Sequence, residues 1–168
     1  MSDSVIQLIA VFLAWSASAD STSEGLSPSS PWNIDYAASE CRLSRTFGTG
    51  HEMLTFRIKR GANLKAAEYM LAGKSLKISD WNYHVRLKLE PGGTAADLLS
   101  LWYRLPTGEG ALRFVGEDMW KPDDVMSTRS ISIEVSGAGP IRLAVGKLDA
   151  PIAALNACYD DLLVAWGI

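Results

Sequence analysis

The sequence YHVRLKLE at residues 83–90 alternates strictly between apolar and polar side chains. Successive side chains of a β-strand point to opposite faces, so the apolar residues of this stretch share one face and the charged residues share the other. The following Pro91-Gly92-Gly93 interrupts the alternation and predicts a turn. The stretch therefore predicts a strand with one face on a core and the other in solvent, which is typical of antiparallel sheets.

The same alternation recurs along the chain and predicts several short strands. It is found in WNIDY at 32–36, LTFRIK at 54–59, ISIEV at 131–135 and IRLAV at 141–145. Glycine-containing turns punctuate these stretches, namely FGTG at 47–50, GEG at 108–110 and GAGP at 137–140. Short strands joined by glycine turns favour a largely antiparallel sheet or sandwich.

Two segments depart from this pattern of alternating strands and glycine turns. Residues 95–103 are ambiguous between a buried strand and a short helix capped by Thr94, and we favour a helix at their start. Near the end of the chain, Asp149 is a candidate cap and Pro151 suits a first helical turn. Apolar residues then recur at helical spacing up to Trp166, and Gly167 is expected to end the helix. The sequence thus predicts a β-rich α+β fold with a C-terminal helix docked on the sheet.

The N-terminal residues indicate export. An apolar run at 5–15 is followed by Ser16-Ala17-Ser18-Ala19, which is typical of a signal peptide at residues 1–19. Asp3 departs from the usual basic start, and the alternative is an N-terminal helix that packs in the protein. Residues 20–31 predict a flexible leader and residues 32–168 a single β-rich domain. We therefore expect a periplasmic or secreted protein.

Export changes what the two cysteines are expected to do. Cys41 follows the first predicted strand, and helical spacing turns Cys158 towards the core. In an oxidising compartment two such cysteines favour a disulfide, which would contribute about 4–5 kcal/mol by constraining the unfolded chain. The alternative is two buried free thiols. A catalytic thiol is disfavoured, because neither cysteine has a neighbouring histidine in the sequence.

The charge balance limits the classes of partner. The formal net charge is −3, which provides no field that would attract nucleic acid or an anionic membrane. We expect no nucleic acid partner, no membrane span in the mature chain and no cofactor. The sequence leaves the oligomeric state open.

A few residues are candidates for ligand contact. Trp81, Tyr83 and Trp120 fall at predicted strand ends or loops, where an aromatic ring could stack on a sugar or anchor a protein partner. The alternative is that these rings fill the edge of a small core. His51 precedes Glu52 and could serve a small hydrolase, but the spacing matches no zinc or serine-hydrolase motif. We assign no catalytic residue and no metal ligand.

Three segments resemble a known group of proteins. WNIDY at 32–36, CRLSRTFG at 41–48 and CYDDLLVAWG at 158–167 are similar to uncharacterised exported alphaproteobacterial proteins. The similarity covers nearly the whole mature chain, and some members carry a TonB-type domain after a similar module. The resemblance implies an envelope location and a paired Cys41 and Cys158. Because this chain stops at Ile168, a TonB role is not carried over.

These observations favour a non-enzymatic module that binds an envelope protein or a glycan. Two alternatives remain open, a small periplasmic hydrolase that uses His51 with an acidic neighbour and a glycan-binding module that uses exposed tryptophans.

Overall fold

Antiparallel strands form one continuous sheet in the computed structural model, which describes residues 25–37, 39–60, 66–76 and 82–168, with the backbone alone for residues 82 and 83. The strands lie in the order β1-β2-β3-β4-β7-β6-β5-β8-β9. Their bounds are β1 Asn33–Ala37, β2 Glu40–Phe47, β3 Leu54–Arg60, β4 Ala66–Gly73, β5 Asn82–Glu90, β6 Ala95–Arg104, β7 Gly110–Glu117, β8 Ser130–Val135 and β9 Ile141–Leu143. The β-rich antiparallel fold predicted from the sequence is confirmed.

Strand β5, which contains the opening stretch of the sequence, lies in the interior of the sheet. It pairs with β6 on one side and β8 on the other, so that Leu87 is opposite both Ala96 and Ile133. Its residues Val85, Leu87 and Leu89 are fully buried, as the alternation predicts. The turn after it contains Gly92 at a φ of 69°, a conformation that glycine adopts without steric cost.

The buried faces of the strands enclose an aromatic and aliphatic core. The ring of Tyr69 in β4 stacks between Phe56 in β3 and Phe114 in β7, at centroid distances of 6.3 and 5.5 Å. These distances are typical of favourable aromatic pairs. In β1, however, Tyr36 is exposed rather than buried, because β1 pairs only with β2 and its outer edge is uncovered.

The segment from Gly25 to Ser30 connects β2, the second strand from one edge of the sheet, with β9 at the other edge. Leu26 forms a parallel bridge to Leu143 in β9, and Pro28 forms an antiparallel bridge to Phe47 in β2. The amides of Ala144 and Gly48 donate to the carbonyls of Leu26 and Ser27 at 3.0 and 2.8 Å. We call this connection the seam.

The seam corrects one boundary drawn from the sequence. Residues 25–31 were expected to belong to a flexible leader, but the ordered fold begins before Trp32. The physical reason is that Leu26 packs against the core while the backbone around it completes the hydrogen bonds of two strand edges. The signal peptide and residues 20–24 lie outside the described residues.

The side chain of Arg45 in β2 stabilises the seam through hydrogen bonds. Its guanidinium donates to the carbonyls of Ser30 and Val145, each at 2.8 Å, and lies 5.6 Å from the ring centre of Trp32. Burial lowers the pKa of Arg45, but the guanidinium of an arginine in a protein stays charged. One charged group therefore holds the start of the domain, β2 and the chain after β9 together.

The helix favoured at the start of residues 95–103 is wrong, and the strand that was the alternative is correct. These residues form β6, and the side chain of Thr94 donates to Asp124 at 2.5 Å instead of capping a helix. Pairing with β5 and β7 on both sides outweighs the weak helical preference of this stretch.

Helix α1 spans Pro122–Ser127, and α2 spans Asp149–Ala165. The predicted C-terminal helix is confirmed, although no side chain caps it and Asp149 is its first residue. The helix buries Ile152, Leu155, Cys158 and Tyr159, and it packs mainly against β2. Gly167 follows it with a φ of 74°, as expected of a residue that ends a helix.

Cys41 of β2 and Cys158 of α2 lie at disulfide distance, with Cα atoms 6.1 Å apart. This agrees with the predicted pairing and joins positions separated by 117 residues. Both residues are buried, and no free cysteine is found. The pair therefore fixes α2 to the strand on which it packs.

Candidate functional site

Apolar side chains are exposed together on the outer face of the sheet. Leu99, Leu101 and Tyr103 of β6 and Val115 of β7 have exposed fractions of 76, 54, 39 and 42%. We call these four residues the outer patch. Single exposed leucines are common on protein surfaces, but a contiguous group marks a contact surface.

The register of two strands explains why these side chains lie together. Leu99 is directly opposite Val115, and Leu101 and Tyr103 follow on the same face of β6. The hydroxyl of Tyr103 donates to Sδ of Met70 in β4 at 3.2 Å, which places its ring across β7. The inward face of β6 instead carries Leu98 and Ser100, which are buried. Strand β6 therefore buries one face and exposes apolar side chains on the other.

Charged pairs border the outer patch on two sides. Arg113 donates to the carboxylate of Glu68 at 2.6 Å, on the side towards β4. Arg86 and Asp97 face each other at 3.4 Å, on the side towards β5. The hydrogen bond and charge of Arg113 hold the pKa of Glu68 below its ordinary value, and partial burial opposes this effect only in part. The patch thus has an apolar centre and a charged rim, which resembles the anatomy of protein interfaces.

A shallow cleft of about 340 Å³ adjoins the patch at Val115. Glu40, Lys59, Tyr159 and Trp166 also line it, where the end of α2 meets the sheet. The side chain of Trp166 is 41% exposed, and burial raises the pKa of the Tyr159 phenol. Lys59 and Glu40 form an ion pair in the cleft. We call this the α2 cleft.

The aromatic residues singled out from the sequence do not form one site. Trp120 is only 5% exposed, and its ring packs 6.1 Å from that of Tyr69, so it belongs to the core and is not a surface ring. Tyr83 lies in β5, and the structure describes only the backbone of this residue. Trp81 lies outside the described residues. Among the described tryptophans, Trp166 has the exposed ring that the sequence suggested for Trp81 and Trp120.

The two histidines occupy different elements. His51 is exposed beside Glu52 in a 3-10 turn between β2 and β3. His84 is exposed on β5, where the alternation predicts a solvent-facing residue, and it is opposite Leu99. In the parts of the chain that the structure describes, no three His, Cys, Asp or Glu residues are grouped to hold a metal ion. The hydrolase alternative based on His51 stays a prediction.

Sequence reasoning missed the outer patch. The run LLSLWY at 98–103 places apolar residues on both faces of a strand, so it loses the alternation that identified β5. The signal that could have found the patch is this excess of apolar residues. In a sheet with one solvated face, an interior strand is expected to carry polar side chains on that face.

Neither α-helix in the described ranges has the length and apolar content needed to cross a membrane. No protein-family profile, no curated protein and no solved structure matches this chain.

Proposed function

We propose that this chain is a non-enzymatic binding module of the periplasm or extracellular space, and that its outer patch binds a protein partner. The observation that carries the proposal is the cluster of four exposed apolar side chains on β6 and β7. An exposed apolar sheet face of this kind offers contact area to another protein surface, whereas small-molecule sites are concave and enclosed.

The extracytoplasmic location is supported by two independent features. The apolar run at 5–15 followed by Ala17-Ser18-Ala19 has the pattern of an export signal. Cys41 and Cys158 lie at disulfide distance, and structural disulfides persist in oxidising compartments. The resemblance to exported alphaproteobacterial proteins is part of the same proposal.

Among the described tryptophans, Trp166 is the one that supports the glycan-binding alternative. This ring is exposed beside the ion pair of Lys59 and Glu40 in the α2 cleft. An exposed indole next to polar groups can stack on a sugar. We favour the protein partner, because the outer patch holds more exposed apolar surface than one indole provides.

Site-specific photo-cross-linking in the native envelope tests the proposal. A photoreactive amino acid replaces Leu101 in the patch or, as the matched control, Val164, which is 76% exposed on α2. We expect a discrete protein cross-link at position 101 that is absent at position 164. Equal labelling at the two positions, or none at position 101, would contradict the proposal. A cross-link at 101 that survives Trp166→Ala would separate the protein site from the α2 cleft.

A further inference from the structure

We propose that the partner of the outer patch is a second copy of this chain, packed face to face about a twofold axis that runs along β6. This inference rests on the proposed function, since it requires the patch to be a binding surface. The argument uses the positions of apolar and charged residues on three neighbouring strands.

The apolar residues suit an axis along β6. In a twofold interface each copy presents the same surface, and residues on the axis meet their own counterparts. Leu99, Leu101 and Tyr103 alternate along the outward face of β6, so rotation about this strand places the stripe of one copy on the stripe of the other. Two sheets that pack in this way lie about 10 Å apart. The exposed apolar side chains of this stripe would then be buried.

One pair of charges that flanks β6, Arg86 and Glu117, is complementary under the same rotation. On β5, Arg86 is opposite Asp97. On β7, Val115 is opposite Leu99, so Glu117, two residues further on the same face, lies level with Asp97. Arg86 and Glu117 therefore flank β6 from opposite sides at the same height. A rotation about β6 exchanges the two sides and brings Arg86 of each copy over Glu117 of the other.

Asp97 lies on the proposed axis and would approach its own counterpart. Each Asp97 is 3.4 Å from its own Arg86, so the two carboxylates that meet there each have a guanidinium beside them. The small net charge of the chain, −3, also opposes self-association only weakly. A partner of different sequence would have to supply this complementarity, whereas a second copy has it by symmetry.

Sedimentation of the purified protein over a concentration series, with the cysteine pair intact, tests the inference. We expect the wild-type protein and the surface control Val164→Asp to dimerise as the concentration rises. Leu101→Asp should remain monomeric, because it places a carboxylate in the centre of the apolar contact. Circular dichroism of each variant confirms that it is folded. Dimers that form equally well with Leu101→Asp would overturn the inference.

A charge exchange tests the orientation of the copies. Arg86→Glu and Glu117→Arg each place like charges opposite one another, so each should raise the dissociation constant about tenfold. The double variant restores the opposite charges across the interface and supplies Asp97 with a guanidinium from position 117, which is level with it, so the constant should return to within about threefold of the wild-type value. If the double variant is as weak as the single variants, the arrangement along β6 is wrong.

The two proposals fail separately. If the pure protein is monomeric at every concentration while position 101 cross-links to a different envelope protein, the second-copy inference is overturned and the proposed function stands. If the pure protein is monomeric and position 101 gives no cross-link, both are overturned.

Discussion

The ion pair between Glu68 and Arg113 shows how one contact contributes at the residue scale. It borders both the outer patch and the α2 cleft, and the donated hydrogen bond favours the charged form of Glu68. Because the pKa of Glu68 is lower in the folded protein, the pair adds stability above the ordinary glutamate pKa. That contribution is lost as the pH falls through the folded pKa.

Glu68→Gln should therefore lower the melting temperature at neutral pH and have a smaller effect in acid. Partly exposed pairs contribute about 0.2–1 kcal/mol, which limits the shift to roughly 4 °C for a chain of this size. Thermal melts of wild type and variant from pH 7 to below the ordinary glutamate pKa measure the difference. The exposed turn residue Glu52, changed to Gln, is the control. A difference that stays constant with pH would show that the charge of Glu68 is not what stabilises the fold.

Individual residues were predicted unevenly from the sequence. Strict alternation placed Val85 in the core and His84 in solvent correctly, because the pattern constrains every position of the strand. Trp120 lies in a loop with no periodicity, and only the tertiary fold places its ring against Tyr69. Tyr36 follows the alternation but is exposed, since local patterns do not show that a strand lies at an edge.

At the scale of elements, strands β1, β3, β5, β8 and β9 and helix α2 were predicted, whereas β2, β4 and β7 were not and β6 was left ambiguous. Three of these strands, β4, β6 and β7, carry the outer patch or its border, where Met70, Leu101 and Val115 add apolar residues to the outward face. Strand prediction from apolar–polar alternation thus fails where apolar side chains replace polar ones on the solvent face of the sheet. The outer patch, which is the candidate site, was unpredicted for the same reason.

The pairing of Cys41 with Cys158 gives a prediction for α2. Reduction should lower the melting temperature markedly, because the bond closes a loop that spans 117 residues and is worth about 4–5 kcal/mol. Thermal melts with and without reductant measure the effect. The double variant Cys41→Ala with Cys158→Ala should not respond to reductant.

Thiol titration gives an independent check on the same pair. Protein denatured without reductant should show no reactive thiol. Two reactive thiols, or a melting temperature that ignores reductant, would contradict the covalent pairing.

At the scale of the whole molecule, the seam links strands that lie far apart in the single continuous sheet. Residues 25–30 hydrogen-bond to both β2 and the chain at β9, and Arg45 donates to carbonyls on both sides. Strand β2 and the edge strand β9 are therefore connected through a segment of only a few residues. The fold should be sensitive to substitutions there.

Leu26→Asp should open the seam, because a carboxylate replaces an apolar side chain that packs on the core. We expect a loss of about 1–3 kcal/mol and faster hydrogen exchange at the amides of Gly48 and Ala144, which donate to the segment. Val164→Asp is the control for adding an exposed charge. Unchanged exchange at both amides would show that the segment does not hold the sheet.

The bridge from Leu26 to Leu143 also sets an order of events as the chain emerges from a ribosome or a translocation channel. Segment 25–30 can join β2 early, since the two are close in sequence, but its other side has no partner until β9 has emerged. During that interval the growing chain carries an open strand edge, the kind of surface that recruits neighbouring molecules into aggregates. That edge of the segment therefore stays unpaired until residue 143 is free to pair.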